Sequence, residues 1–342
     1  MSKRTRTFTV GAGVTYPPSV ELARLHTPLQ LLDHISERFE RTVYCKRDDL
    51  TGAALSGNKV RKLEFLLAAL TDGGHGGVIT CGGEQSNHAR ATALAAARLG
   101  LRCHLLLRTK DPSNPPEPTG NILLDQLAGA TIEWITPDAY AERDELLERR
   151  ATELQSEHGV SFSPIPEGGS NALGAWGYVR CVAELAEQLG PGPVTIVSAV
   201  GSGGTTAGLI AGCQLYNLPY RVVGIAVSDD RATFQGRIAK ILAEMAETFE
   251  EDVAVEAEGI EIIDDYVGRG YALSSEEELR CIVDMARESG LILDPVYTAK
   301  AMVGLLGELK KAQRNLGEKI VFIHTGGIFG LLPKAAELKP LL

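Results

Sequence analysis

Two interwoven α/β lobes built on mainly parallel sheets are predicted by three observations. Short β-rich apolar runs alternate with longer helical patterns, glycine-rich turns follow several of those runs, and 342 residues exceed the roughly 150 that one core usually organises. The strand runs are Thr42–Lys46, Gly77–Cys81, Cys103–Leu107, Thr131–Ile135, Val194–Val200, Arg221–Val227 and Lys319–His324, each bounded by Gly, Pro or charged residues. Between them, Leu63, Leu66, Leu67 and Leu70 repeat on one helical face. The run Ala89–Leu99 combines high helix propensity with side chains small enough to lie close on a sheet. Asp138–His158 and Ser274–Glu288 are further amphipathic helices, the second opening with Ser274 and Glu277 at capping-box spacing. Four prolines between Asp111 and Gly120 make that stretch a surface loop. No repeat and no linker appear, so the lobes share the chain.

Composition narrows the function. A balance of 34 basic against 44 acidic residues, a formal −10, disfavours nucleic acid and anionic membranes as partners. No window carries the roughly 18 unbroken apolar residues of a membrane span, and the basic start Met1–Thr7 is followed by no signal-peptide core. Six dispersed cysteines without a C-x-x-C pair suit reduced thiols in a cytoplasm and offer no metal site.

Five segments carry chemistry. Ser56-Gly-Asn-Lys-Val-Arg-Lys-Leu-Glu64 places Lys59 at a helix start, where the positive end of the helix dipole disfavours an ammonium and favours the free amine that imine formation needs. Taken alone, Lys59, Arg61 and Lys62 read more readily as an ordinary solvated basic face. Val200-Gly-Ser-Gly-Gly-Thr-Thr-Ala-Gly208 follows a strand, so the N–H groups of Gly201, Gly203, Gly204 and Thr205, with the Ser202 and Thr205 hydroxyls, can close on a phosphate. It has neither the Gly-Lys-Ser/Thr of a nucleotide loop nor the third glycine of the dinucleotide fingerprint, which disfavours a NAD-binding dehydrogenase. Gly82–Arg90 offers Gln85, Ser86 and Asn87 to a substrate carboxylate, or simply a helix cap. Leu293–Lys300 presents Tyr297 before a helix, and His324-Thr-Gly-Gly327 ends a strand with Thr325.

As an ordered set, H-T-P-L, K-R-D-D-L, S-G-N-K-x-R-K-L-E, Q-S-N-H, G-G-S-N-A-L-G-A, G-S-G-G-T, L-D-P-V-Y-T and H-T-G-G resemble the fold-type II pyridoxal-phosphate enzymes, the tryptophan synthase β-like family, in the branch of D-cysteine desulfhydrase and 1-aminocyclopropane-1-carboxylate (ACC) deaminase. The resemblance implies two three-layer α/β/α lobes: residues 1–57 with 170–342 as the large cofactor-binding domain, and 58–169 as the small one. It implies Lys59 as the Schiff-base lysine, Gly201, Ser202, Gly203, Gly204 and Thr205 around the phosphate, Asn87 beside the ring's oxygen and Thr325 at its nitrogen. A hydroxyl at that nitrogen holds the ring proton less firmly than a carboxylate, which suits elimination. Gln85, Ser86 and Asn87 would hold the substrate carboxylate, and Thr298 would adjoin the substrate. Lys59, Ser86, Tyr271 and Tyr297 would be the catalytic groups.

The activity implied is α,β-elimination from a small amino acid, D-cysteine first, giving pyruvate, ammonia and sulfide. ACC deaminase, L-cysteate sulfo-lyase and a non-catalytic binding homologue are the alternatives; a cytoplasmic homodimer is the implied state. Glu84 departs from the uncharged residue expected before Q-S-N, Ala272 from the glycine after Tyr271, and Ala299 from the desulfhydrase pattern.

Overall fold

The computed structural model describes residues 9–10 and 13–342; the basic start Met1–Thr7 lies outside them. Strands β1 (Thr9–Val10) and β2 (Val14–Thr15) form an antiparallel ribbon. Strands β3 (Leu29–Leu31) and β4 (Thr42–Lys46) precede a four-stranded sheet made of β5 (Gly77–Gly83), β6 (Arg102–Arg108), β7 (Thr131–Ile135) and β8 (Phe162–Pro164). Then β9 (Val194–Val200), β10 (Tyr220–Ala226), β11 (Ile262–Ile263) and β12 (Lys319–Ile323) join β3 and β4 in a six-stranded sheet. The spatial orders are 11-10-9-12-4-3 and 7-6-5-8, and every pairing within the two sheets is parallel except β3 with β4. The α/β class and its parallel sheets are as expected.

All seven expected strands are present, three with the expected bounds. The very short β3, β8 and β11 were not foreseen. Each is two or three residues long and is held by pairing, not by apolar patterning. The six cysteines are free and buried. One helix start shifts by a residue: Ser275 caps Glu276–Ser289 and pairs with Glu278 in the capping box, not Ser274 with Glu277. The Ser274 hydroxyl instead reaches the Pro295 carbonyl, which holds that residue outside the helix.

The basic triplet is not a solvated face. In the helix Asn58–Asp72, Arg61 and Lys62 are at most 1% exposed. Arg61 bridges Asp48 and Glu184, both at 2.7 Å, and Lys46 reaches Glu184 at 2.7 Å. The Tyr178 hydroxyl donates to Asp48 at 2.7 Å. Two cations and two anions are thus closed off from water between the Lys59 helix and the helix Ala172–Leu189.

Among the described residues, no helix is long and apolar enough to cross a membrane.

Candidate active site

Strand order reverses twice, between β9 and β12 and between β5 and β8. In open parallel sheets, ligands sit beyond the carboxyl ends of strands at such reversals. One cavity of about 420 Å³ lies there, lined by Gly83 at the end of β5, Ser86 and Asn87 after it, Gly168 after β8, Gly201–Gly203 after β9 and Thr325 after β12. Lys59, Tyr271 and Tyr297 complete the wall.

Lys59 is the second residue of its helix. Its approach is set by bare backbone: the Asn58 N–H donates to the Thr325 carbonyl at 3.0 Å, and Gly57, at φ 92°, leaves no room for a Cβ, which would lie 2.8 Å from that same oxygen. The ammonium donates to the Gly168 carbonyl at 3.3 Å. Desolvation pulls its pKa from the usual lysine range down to about 8, with Glu167 opposing the shift. The Lys59 amine is therefore expected to titrate near pH 8. Uptake of pyridoxal phosphate by apoprotein, followed by visible absorbance, should accelerate as pH rises through about 8. Glu167→Gln, which removes the opposing charge, should move that inflection to lower pH.

Behind the wall, Lys62 donates to the same Gly168 carbonyl at 3.3 Å and to Ser170 at 3.0 Å. Burial and the neighbouring Lys59 charge push its pKa well below the usual lysine value. Ser202 lines the cavity and shares a hydrogen bond with Ser170 at 2.8 Å. Thr205 accepts from Asn58 at 3.1 Å. Gly203 adopts φ 89°, open to a glycine and strained for other residues, and the helix Gly204–Leu215 starts directly after it. Gly204 lies outside the cavity lining, and a Cβ on it would run into Ser170 and Lys62.

Ser86 caps the helix Asn87–Leu99, its oxygen accepting the Ala89 N–H at 3.1 Å, which leaves its own O–H free to donate. Asn87 accepts from Asn121 at 3.0 Å through its amide oxygen, leaving its NH2 group available. The hydroxyls of Tyr271 and Tyr297 lie 3.0 Å apart. Burial raises both pKa values, so each phenol keeps its proton at neutral pH.

Two expected contacts fail. Gln85 does not line the cavity: its side chain accepts the Asn121 N–H at 2.8 Å and donates to the Thr119 carbonyl at 3.1 Å, pinning the loop ahead of the next helix. Thr298 is fully buried, donating to the Asp294 carboxylate at 2.8 Å and accepting the Asp294 N–H at 2.6 Å. The helix that Thr298 begins turns its side chain away from the side Tyr297 faces. Glu84 also points elsewhere, accepting the Thr109 hydroxyl at 2.6 Å. Among the lining residues without a prior assignment are Arg108, Tyr140, Arg143, Glu167, Asp229 and Arg237. Only Arg108 left a signal, as a charged residue closing an apolar strand run.

A glycine-rich turn at a helix start and a desolvated amine facing the same cavity fit a ligand carrying both a phosphate and an aldehyde. Comparison with known proteins agrees. Residues 20–326 match the family described as "Pyridoxal-phosphate dependent enzyme". A putative 1-aminocyclopropane-1-carboxylate deaminase of Thermotoga maritima is 42% identical over 93% of this chain and 99% of its own. A mitochondrial bifunctional D-cysteine desulfhydrase/1-aminocyclopropane-1-carboxylate deaminase of Arabidopsis thaliana is 40% identical over 94% of this chain and 81% of its own. The D-cysteine desulfhydrase of Yersinia enterocolitica is 39% identical over 91% and 94%. The crystal structure of an ACC deaminase homologue superposes with a TM-score of 0.87 at 41% identity, covering 96% of this chain and 97% of the other. Cavity, lysine and sequence relationship agree: the chain belongs to the pyridoxal-phosphate dependent enzymes.

Proposed function

We propose that this enzyme catalyses α,β-elimination from a small α-amino acid, with D-cysteine as first substrate and pyruvate, ammonium and sulfide as products. Relatives named for both D-cysteine desulfhydrase and ACC deaminase support the reaction class. One observation favours elimination over cyclopropane opening. Opening a ring without a Cα hydrogen or a good leaving group needs added acid/base help, yet the two carboxylates lining the cavity are both engaged. Glu167 pairs with Arg143 at 3.1 Å, and Asp229 with Arg237 at 3.1 Å. Beside Tyr297, the Asp294 carboxylate is buried and accepts the N–H groups of Val296, Tyr297 and Thr298.

In this reading Gly201, Gly203 and Thr205 hold the phosphate, with Gly204 closing the turn. Ser202 would act through Ser170, Asn87 would donate to the ring oxygen, and Thr325 would meet the ring nitrogen. Bound pyridoxal phosphate supplies an aldehyde for amines and a conjugated ring that accepts electrons from Cα. Ser86 and Asn87 hold the substrate carboxylate at the helix N-terminus, where the dipole favours an anion. Lys59, once free, takes the Cα proton; its lowered pKa keeps an unprotonated amine in reach near neutrality. Tyr271 and Tyr297, protonated and hydrogen-bonded to each other, hand a proton toward the departing group. Residues 1–57 with 170–342, and 58–169, act as the large and small lobes. The reading includes a cytoplasmic homodimer, and six free, buried thiols support a reducing compartment.

The test is a keto-acid assay on D-cysteine, L-cysteine, L-cysteate and ACC. D-Cysteine is expected to give the highest kcat/KM. Efficient ACC turnover with little pyruvate from any cysteine would transfer the assignment to deamination by ring opening.

A further inference from the structure

Asn87 lines the cavity, and the direction of its amide is decided by two side chains behind the wall. Arg90 and Asn121, 1% and 0% exposed, lie there on the helices Asn87–Leu99 and Gly120–Leu127. Arg90 Nε donates to Asn121 Oδ1 at 3.2 Å. Asn121 Nδ2 donates to the Gln85 carbonyl at 2.9 Å and to Asn87 Oδ1 at 3.0 Å. Two of these partners cannot reverse their roles, since a guanidinium has no acceptor and a carbonyl has no donor. The Asn121 oxygen must therefore face Arg90, and its NH2 must face Asn87. Arg90 is itself held, donating to the Ala54 and Ser56 carbonyls at 2.6 and 3.0 Å. Backbone closes over the junction: a Cβ on Gly330 would sit 3.6 Å from Asn121 Nδ2 and 4.0 Å from Asn87 Oδ1. The Asn87 nitrogen lies toward the end of β12, where a Cβ on Gly327 would sit 3.1 Å from it.

We propose that Asn121 is a positioning residue, itself set by Arg90, that fixes the donor face of Asn87 toward the ring oxygen of pyridoxal phosphate. The inference rests on the reading that Asn87 meets that oxygen. An unconstrained asparagine amide can turn over and present its own oxygen, which would set acceptor against acceptor at the ring. In this wall the turn would set the two NH2 groups against each other beside a fully buried Asn121. A donor left unpaired there disfavours the reversed amide by about tenfold or more. The chain Arg90, Asn121, Asn87 thus runs in one direction, donor to acceptor at each step, and ends on an NH2 group. A residue that touches neither cofactor nor substrate thereby selects a ring that carries an oxygen.

The experiment measures calorimetric affinity of the cofactor-free full chain for two compounds. Pyridoxine 5′-phosphate has the ring oxygen but no aldehyde to bond Lys59, and its 3-deoxy analogue lacks that oxygen. Wild type should prefer the oxygen-bearing compound about tenfold or more, the ordinary worth of a hydrogen bond to a charged group. Asn121→Asp keeps the size and the Arg90 contact, and Arg90 holds the new carboxylate ionised, so no donor remains for Asn87 Oδ1. Asn87 then turns over, and the preference should fall to about twofold or less. Asn121→Ala, which frees Asn87 without reversing it, should fall between. The 3-deoxy compound should bind all three proteins within about threefold. With pyridoxal phosphate loaded, an acceptor facing the ring oxygen favours its protonated form, so the visible band of Asn121→Asp should move to shorter wavelength. A merely structural role predicts the reverse order, because alanine deletes all three side-chain hydrogen bonds of Asn121 and aspartate keeps the one to Arg90. A greater loss in the alanine variant, equal losses for both compounds, or an unchanged preference would each overturn the relay. If circular dichroism shows that Asn121→Asp does not fold, the alanine variant decides by the same comparison of the two compounds. A preference abolished by Asn87→Ala but kept in the Asn121 variants would leave Asn87 at the ring oxygen and remove the relay alone. No preference in wild type would mean that Asn87 does not meet that oxygen, and the relay would fall with that reading.

Discussion

Replacing Lys59 with alanine is expected to remove at least about 10³-fold of kcat, because one substitution deletes both the proposed covalent anchor and the proposed Cα base, and a positioned acid/base group alone is worth about 10²–10⁴-fold. The informative control is Lys62. It is more deeply buried than Lys59 and donates to the same Gly168 carbonyl, so proximity to that oxygen does not separate the two. Access does: Lys59 lines the cavity and Lys62 stands behind it. Borohydride reduction of holoenzyme followed by peptide mapping should mark Lys59. In the alanine variant the reducible adduct should vanish while pyridoxal phosphate is still retained, more weakly, by the phosphate turn. A mark on Lys62, or a variant with near-normal turnover, would show that the wrong amine has been chosen.

The largest effect on stability is expected from Glu184→Ala. The carboxylate is 1% exposed and touches both Arg61 and Lys46 at 2.7 Å. Removing it strands two buried cations against Asp48 alone, and breaking a buried pair typically costs about 3–5 kcal/mol. Burial alone would raise the Glu184 pKa, but Arg61 and Lys46 overcome it and hold it at about 2. A depressed carboxylate pKa contributes stability that is complete above the unfolded value near 4.3 and is lost as pH falls toward 2. Urea unfolding at pH 7 should therefore show the full loss in the variant, and the gap between variant and wild type should narrow as pH falls below about 4. A midpoint within error of wild type at pH 7 would mean water reaches this cluster. The double variant Arg61→Met with Asp48→Leu, which removes one cation with one anion, should be far milder than either single change.

That cluster also shows where the sequence was legible and where it was not. The motifs around Lys46 and Lys59 were visible as strings, yet nothing in a string tells whether a charge meets water or a partner. Arg61 and Glu184 stand 123 residues apart and neutralise each other only once two helices pack. The strands Thr42–Lys46 and Val194–Val200 were legible because apolar runs end sharply at polar or glycine residues. The cap at Ser275 was displaced because Ser274-Ser275 and Glu276–Glu278 offer two registers, and the choice falls to a hydrogen bond with Pro295, twenty-one residues away. Within the site, the glycine turn, Lys59 and the two tyrosines were legible, since such segments combine unusual backbone freedom or reactivity with strand ends. Gln85 and Thr298 were misread because adjacency along the chain was taken for adjacency in space. One helical step from Tyr297 faces Asp294 instead of the cavity. Arg108 and Glu167 belong to no motif, and only the fold brings them to the wall.

The junction between Gly57 and Thr325 has a consequence for redesign. The lysine-bearing helix is registered to the end of β12 through main-chain atoms, with Gly57 and Gly326 so close that a Cβ on Gly326 would lie 2.9 Å from the Gly57 Cα. The side chain of Thr325 takes no part in that joint. If Thr325 meets the ring nitrogen as proposed, position 325 is an interchangeable fitting on a rigid mount: acidic, neutral or basic groups installed there would retune the electron demand of the ring without moving Lys59. The two glycines carry the opposite property, since any side chain on either would push the mount itself apart.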